Sequence, residues 1–243
     1  MKKHIPNLIT CCNLMSGCCA ILFAFYGLFN LAVSLIIAGA VFDFFDGMVA
    51  RLLHVSSPIG KELDSLADVV TFGVAPSALL FQMLALSLRH TPWVPTLQSI
   101  GWMAPAVAYI PYIAFGMAAF SALRLAKFNL DERQTSSFIG LPTPANALFW
   151  CSMALSGSYH FLSATSYLLL ALALSLMLVA EIPLFALKFK NLSWRDNAVK
   201  YIFLAGCLVL IPLMRTACFA GIVIWYVLLS IINNLMTARS SEE

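Results

Sequence analysis

Eight continuous apolar runs dominate this chain, near 8–28, 31–52, 66–88, 104–126, 144–162, 164–187, 199–214 and 217–236. A helix needs about 20 apolar residues to cross a bilayer core, and most of these runs come close to that length. Membrane barrel strands would instead alternate apolar and polar residues over about ten positions. With 61% hydrophobic and 10% charged residues, polar side chains are too scarce to coat a soluble globule of 243 residues. The sequence therefore predicts an all-α polytopic membrane protein with about eight transmembrane helices. It contains no internal repeat or low-complexity stretch, so a single domain over 1–243 is expected.

An even number of crossings puts both termini on one side. Placing them in the cytoplasm gathers twelve cations there: Lys2, Lys3, Arg51, Lys61, Arg124, Lys127, Arg133, Lys188, Lys190, Arg195, Lys200 and Arg239. Only Arg89 and Arg215 fall outside, a strong positive-inside bias. Trp93 and Trp102 suit an outer aromatic belt. Asn7 and Asn13 interrupt the first apolar stretch, so it reads as a first span and not as a cleaved leader, despite the lipoprotein-like Leu14-Met15-Ser16-Gly17-Cys18. The net charge is only +3 and the cations are dispersed, which argues against a nucleic-acid partner. The seven cysteines form no CxxC pair and read as packing residues.

The informative stretch is Val41 to Ser77. Asp43 and Asp46 lie at i and i+3, with Gly47 and Ala50 on the same helical face. Asp64 and Asp68, at i and i+4, share a face at the predicted start of the next helix. If the second span begins at Leu31 on the outer side, a rise of ~1.5 Å per residue puts Asp43 about 18 Å and Asp46 about 22 Å deep. Both then lie beneath the cytoplasmic surface of a core about 30 Å thick. A mid-helix Asp costs roughly 2.5 to 3.5 kcal/mol on insertion scales, so four acids on neighbouring helices require compensation. Arg51 supplies one positive charge. Divalent cations supply more, and an all-oxygen donor set selects hard ions such as Mg²⁺, Mn²⁺ or Ca²⁺. Gly47 leaves room for a ligand, and Arg51 offers a planar fork for phosphate. The plainer alternative, Asp and Arg merely capping helix ends, does not account for four acids at same-face spacings.

The pattern Asp43-x₂-Asp46-Gly47-x₂-Ala50-Arg51-x₈-Gly60-x₃-Asp64-x₃-Asp68 resembles the full signature of the CDP-alcohol phosphotransferases, with every position present over 26 residues. The resemblance implies a polytopic enzyme with a core over about 1–190 and two additional C-terminal helices over about 199–236. It implies two divalent ions, Mg²⁺ or Mn²⁺, ligated by Asp43, Asp46 and Asp64. Asp68 would complete the metal site and take the acceptor's proton. Gly47, Arg51 and Ser57 would contact a CDP-linked lipid, and Asn7, in Ile5-Pro6-Asn7-Leu8-Ile9-Thr10, is a further candidate for the nucleotide pocket. A homodimer in the inner membrane, with its site facing the cytoplasm, is expected on the same basis.

Ala122-Leu123-Arg124-Leu125-Ala126-Lys127-Phe128-Asn129 and Phe138-Ile139-Gly140-Leu141-Pro142-Thr143-Pro144 resemble segments of the bacterial and archaeal phosphatidylserine synthases. Lys127 stands where those typically carry a second Arg. The implied substrates are CDP-diacylglycerol and L-serine, with Arg124 or Lys127 holding the serine carboxylate. Positive-inside anchoring is the alternative role for these two cations. Choline, glycerol 3-phosphate and inositol phosphate remain alternative acceptors, and a divalent-cation transporter is the alternative from another class. His54 and His160 read as interfacial side chains, and Glu181 is left unassigned.

Overall fold

In a computed structural model, residues 4–130, 138–185 and 193–240 are described. The α-helices are α1 (His4–Phe25), α2 (Phe29–Leu52), α3 (Pro58–Asp68), α4 (Ala75–Ser87), α5 (Val94–Ser99), α6 (Ala104–Val107), α7 (Phe115–Leu130), α8 (Thr143–Leu155), α9 (Ala164–Val179), α10 (Trp194–Met214) and α11 (Cys218–Ser240). A π-helical segment, Val69–Val74, joins α3 to α4. The only strands among the described residues are β1 (Phe138–Ile139) and β2 (Pro183–Leu184), an antiparallel pair with Phe138 opposite Leu184.

Among the described residues five helical stretches are long and apolar enough to cross a membrane, the last of them, Asn197–Met236, taking in most of α10 and α11. Large apolar side chains such as Leu8, Leu208 and Leu213 stay exposed along these helices. That surface is unfavourable in water and neutral in hydrocarbon, so the chain is an all-α membrane protein.

Every predicted apolar run contains a helix, but several boundaries move. The third helical rod begins at Pro58, eight residues before the predicted start, because Ser57 caps it and Pro58 suits the first helical position. This first part is amphipathic, and a search for apolar runs passes over it. Asp64 and Asp68 therefore sit well inside a helix, not at its start. The run at 144–162 yields a helix of only 13 residues, ended near the left-handed Gly157. The run at 164–187 is helical to Val179, where extended Ala180 leads into β2. Among the predicted cytoplasmic cations, Lys2, Lys3, Arg133, Lys188 and Lys190 lie outside the described residues, as do the side chains of Arg195 and Arg239. Trp93 donates a 2.7 Å hydrogen bond to Thr165, while Trp102 is exposed.

Two features place the acids. First, α4 is the buried axis of the fold, with Ala75, Ala78, Leu79, Leu80, Met83 and Leu84 all inaccessible, and α1, α7, α8 and α9 pack around it. Second, α1 and α2 close tightly on the π segment. A Cβ on Gly17 would lie 2.5 Å from Thr71 Oγ1 and 2.9 Å from its Cα, and one on Gly39 would lie 2.5 Å from Thr71 Cγ2. Without a hydrophobic driving force between helices in lipid, such close backbone approach supplies the packing attraction.

Candidate active site

The loop between α2 and α3 reverses the chain within five residues, helped by the left-handed backbone of His54 (φ 51°). The end of α2 thereby faces α3. One carboxylate oxygen from each of Asp43, Asp64 and Asp68 falls within 4.8 Å of the others. Asp46, the fourth predicted acid, stands apart from this trio. It is buried, and its Oδ2 lies 2.6 Å from Thr10 Oγ1, the closer of the two acceptors available to that hydroxyl.

Two further observations bear on what this cluster holds. Oδ1 of Asp64 is buried without a hydrogen-bond partner among the described residues, and an orphaned buried carboxylate oxygen is costly unless a cation meets it. Asp68 Oδ1 accepts from Asn13 Nδ2 at 3.3 Å, Asn13 is fully buried, and Thr71 donates to the Asn13 carbonyl at 3.0 Å. The donors are all oxygen, presented from two helices, α2 and α3, and fit a hard divalent ion.

Beside the cluster opens a cleft of about 240 Å³. Asn7 and Thr10 of α1, Asp46 and Gly47 of α2, Ser57 of the loop, and Lys61 and Asp64 of α3 line it. A Cβ on Gly47 would meet nothing within 4 Å, so no packing contact among the described residues explains the missing side chain. Ser57 also accepts from the Gly60 amide at 3.0 Å, which caps α3 and orders the cleft wall. Arg51 differs from expectation in its placement. It is exposed, its Nε donates to its own helix at Gly47 O (3.0 Å), and it does not line the cleft. Lys61 is the cleft's one lining cation among the described residues, and the sequence reading treated it only as an orientation signal.

The two downstream motifs meet. Arg124 is buried on α7, and its Nη1 donates to Thr143 Oγ1 at 3.2 Å at the start of α8. Its guanidinium lies 5.3 Å from the centre of the Phe128 ring. Neither partner carries a charge, and Asp68 is within electrostatic reach. Lys127, one turn on, is exposed. Asn129 reaches back to α3, donating to Ser65 Oγ at 2.7 Å, while its carbonyl accepts from Lys61 Nζ at 3.4 Å. Thr10, Asn13, Lys61 and Thr143 are thus site residues that sequence reasoning missed. The signals in the sequence are indirect: Asn13 interrupts an apolar run, and Thr10 and Thr143 stand inside the two segments singled out around Asn7 and Gly140.

The geometry can be set beside known proteins. The family model described as CDP-alcohol phosphatidyltransferase matches residues 3–180. The chain is 38% identical over 158 residues to the CDP-diacylglycerol–serine O-phosphatidyltransferase of Bacillus subtilis (strain 168), covering 65% of this chain and 78% of that protein. It is 32% identical over 230 residues to the protein of the same name from Helicobacter pylori (strain ATCC 700392 / 26695), covering 91% and 88%. It is 30% identical over 184 residues to the archaetidylserine synthase of Methanothermobacter thermautotrophicus, covering 74% and 69%. On these matches, and with the acids of the two site helices brought together, the chain belongs to the CDP-alcohol phosphatidyltransferase family.

Proposed function

We propose that this protein transfers the phosphatidyl group of CDP-diacylglycerol to the hydroxyl of L-serine, giving phosphatidylserine and CMP. Beyond the names of the relatives, one observation carries the choice of serine: Arg124 is a buried cation whose contacts are uncharged, close enough to Asp68 for the two to interact. A buried cation with no acid in direct hydrogen-bond contact is unfavourable, and a serine carboxylate supplies that contact while its hydroxyl lies toward Asp68. The exposed Lys127 is the weaker of the two predicted carboxylate ligands.

Asp43, Asp46, Asp64 and Asp68 would hold the divalent ions, two of Mg²⁺ or Mn²⁺. When bound, such ions balance the acids and stabilise charge on the phosphate oxygens of an in-line displacement. Asp68 takes the proton from the serine hydroxyl as its oxygen attacks the phosphorus that bears diacylglycerol. The bond from that phosphorus to the bridging oxygen breaks, and CMP leaves with the electron pair. Asn13 anchors one Asp68 oxygen, which fixes the orientation of the base. Gly47, Ser57 and Asn7 shape the donor cleft and Lys61 meets the donor's phosphates, while Arg51, exposed and outside the lining, is the weaker of the predicted donor contacts. The enzyme works in the inner membrane with about eight crossings, both termini and the site on the cytoplasmic side, and as a homodimer; the positive-inside bias supports that orientation.

Membranes carrying the protein, supplied with CDP-diacylglycerol, Mn²⁺ or Mg²⁺ and each of serine, choline, glycerol 3-phosphate and inositol phosphate, test the proposal by CMP release. Release should follow serine alone, stop with EDTA and return with excess metal. No serine-dependent CMP would sink the reading. Replacing Lys61 by Ala removes a charged hydrogen-bond donor to phosphate, and the KM for CDP-diacylglycerol should rise about 10- to 100-fold. The serine KM should stay put; a change in that value instead would place Lys61 on the acceptor side.

A further inference from the structure

The family match ends at residue 180, so it accounts for neither β2 nor the hairpin of α10 and α11. We infer that this hairpin is a clamp for the acceptor subsite, with Tyr226 and Asn234 as positioning residues; the inference rests on the proposal that Arg124 and Thr143 form that subsite.

The starting point is a mechanical problem at α8. Its 13 residues extend only about 20 Å, too short to be held by both surfaces of a hydrocarbon core about 30 Å thick. Its first residue is Thr143, whose hydroxyl meets Arg124. The flanks of α8 are packed against α2 and α4, and the entry of the chain into that end is set by what precedes it.

What precedes it is the β1–β2 ribbon, with two residue pairs and no stability of its own. From β1 the chain turns at Gly140 (φ 75°), where a Cβ would come within 2.8 Å of Leu178 O and 2.9 Å of Ala180 O. Only glycine allows that crossing over the end of α9. The Gly140 amide donates to Ile182 O at 3.0 Å and the Leu141 amide to Met177 O at 2.9 Å. Pro142 and Thr143 follow directly. The location of Thr143 is therefore inherited jointly from the end of α9 and from the segment of Ile182 that leads into β2.

β2 in turn is gripped by α11. Asn234 Nδ2 donates to Pro183 O at 2.7 Å, and Tyr226 OH donates to Phe185 O at 2.8 Å. The Tyr226 ring packs on Phe185 and Phe203, with centroids 4.9 and 5.6 Å away, so α10 braces the same grip. The far end of α8 is tied as well: Ser152 Oγ donates to Thr216 O at 2.8 Å and accepts from the Ala220 amide at 3.2 Å. The hairpin thus holds the short helix at both ends, directly at Ser152 and through the ribbon at Thr143. By contrast, α1, α2 and α3 supply the donor cleft without it.

The test uses the full-length protein in membranes and the steady-state constants for both substrates. In the double variant Tyr226→Phe, Asn234→Ala, the serine KM should rise about 5- to 30-fold, a loss of two hydrogen bonds partly transmitted to the subsite. The KM for CDP-diacylglycerol should change less than about twofold, and Asn234→Gln, which keeps the donor, should restore much of the serine affinity. A merely structural role would lower the yield of active protein and leave both constants unchanged or move them together, and either result overturns the inference. Should the double variant fail to accumulate, Tyr226→Phe alone, which removes one oxygen and keeps the ring, is read in the same way. The unaltered protein is assayed beside it. If that protein makes no CMP with serine, the functional reading fails; if it does and the variant keeps the parental serine KM, the clamp fails.

Discussion

Asp68→Asn should lower turnover by about 10²- to 10⁴-fold, the range that general-base catalysis contributes, while Mn²⁺ and CDP-diacylglycerol still bind. The asparagine preserves shape and can still contact Asn13, but it cannot accept the serine proton. Asp43 and Asp64 remain to hold an ion. Manganese titration followed by electron paramagnetic resonance, with donor binding measured on the same preparation, separates the two roles. Complete loss of both binding events would make Asp68 an indispensable ligand and remove the case for a base. Asp64→Asn should show the opposite pattern, losing metal binding first, because its buried Oδ1 has no hydrogen-bond partner among the described residues and is left to the ion.

Two glycine substitutions should separate the cleft from the scaffold. Gly47→Leu points into open space and replaces a poor helix former with a good one, worth roughly 0.5–1 kcal/mol in the helix. The protein should fold at least as well as the parent, yet its KM for CDP-diacylglycerol should rise about 10- to 100-fold, because the new side chain occupies the cleft. Gly17→Val acts the other way. Its added atoms press on the backbone of Thr71, where nothing flexible can yield, and stability should fall by about 1–3 kcal/mol or more. Thermal unfolding in detergent and donor titration distinguish the two. A destabilised Gly47→Leu protein would show that the glycine serves packing after all.

The catalytic half of this site was legible because a helix repeats every 3.6 residues and the signature acids obey that period. Asp43, Asp64 and Asp68 converge as their spacings require. What the sequence concealed was long-range pairing. Thr10 and Asp46 are 36 residues apart, and Asn13 and Asp68 are 55 apart; no local pattern announces such partners. The two cations of the RLAKFN segment illustrate the same limit. An i, i+3 spacing puts Arg124 and Lys127 on one side of the helix, but packing against α8 buries the first and leaves the second in the open. Segment lengths suffered for a different reason. Apolar runs report which residues tolerate lipid, whereas helix ends are decided by backbone features such as the left-handed Gly157 or the cap at Ser57.

The π-helical segment after Asp68 carries a consequence for protein engineering. Such a wide turn stores one residue more than regular helix, and Thr71, Phe72 and Gly73 within it are buried against their neighbours. Deleting a single residue would let the rod close into uniform α-helix, but everything upstream would swing by about 100°. The acids would leave their partners while the core below stayed in place. A chimera grafting the catalytic face of one relative onto the scaffold of another must therefore conserve the number of residues between Asp68 and Pro76 as well as the close contacts of Thr71.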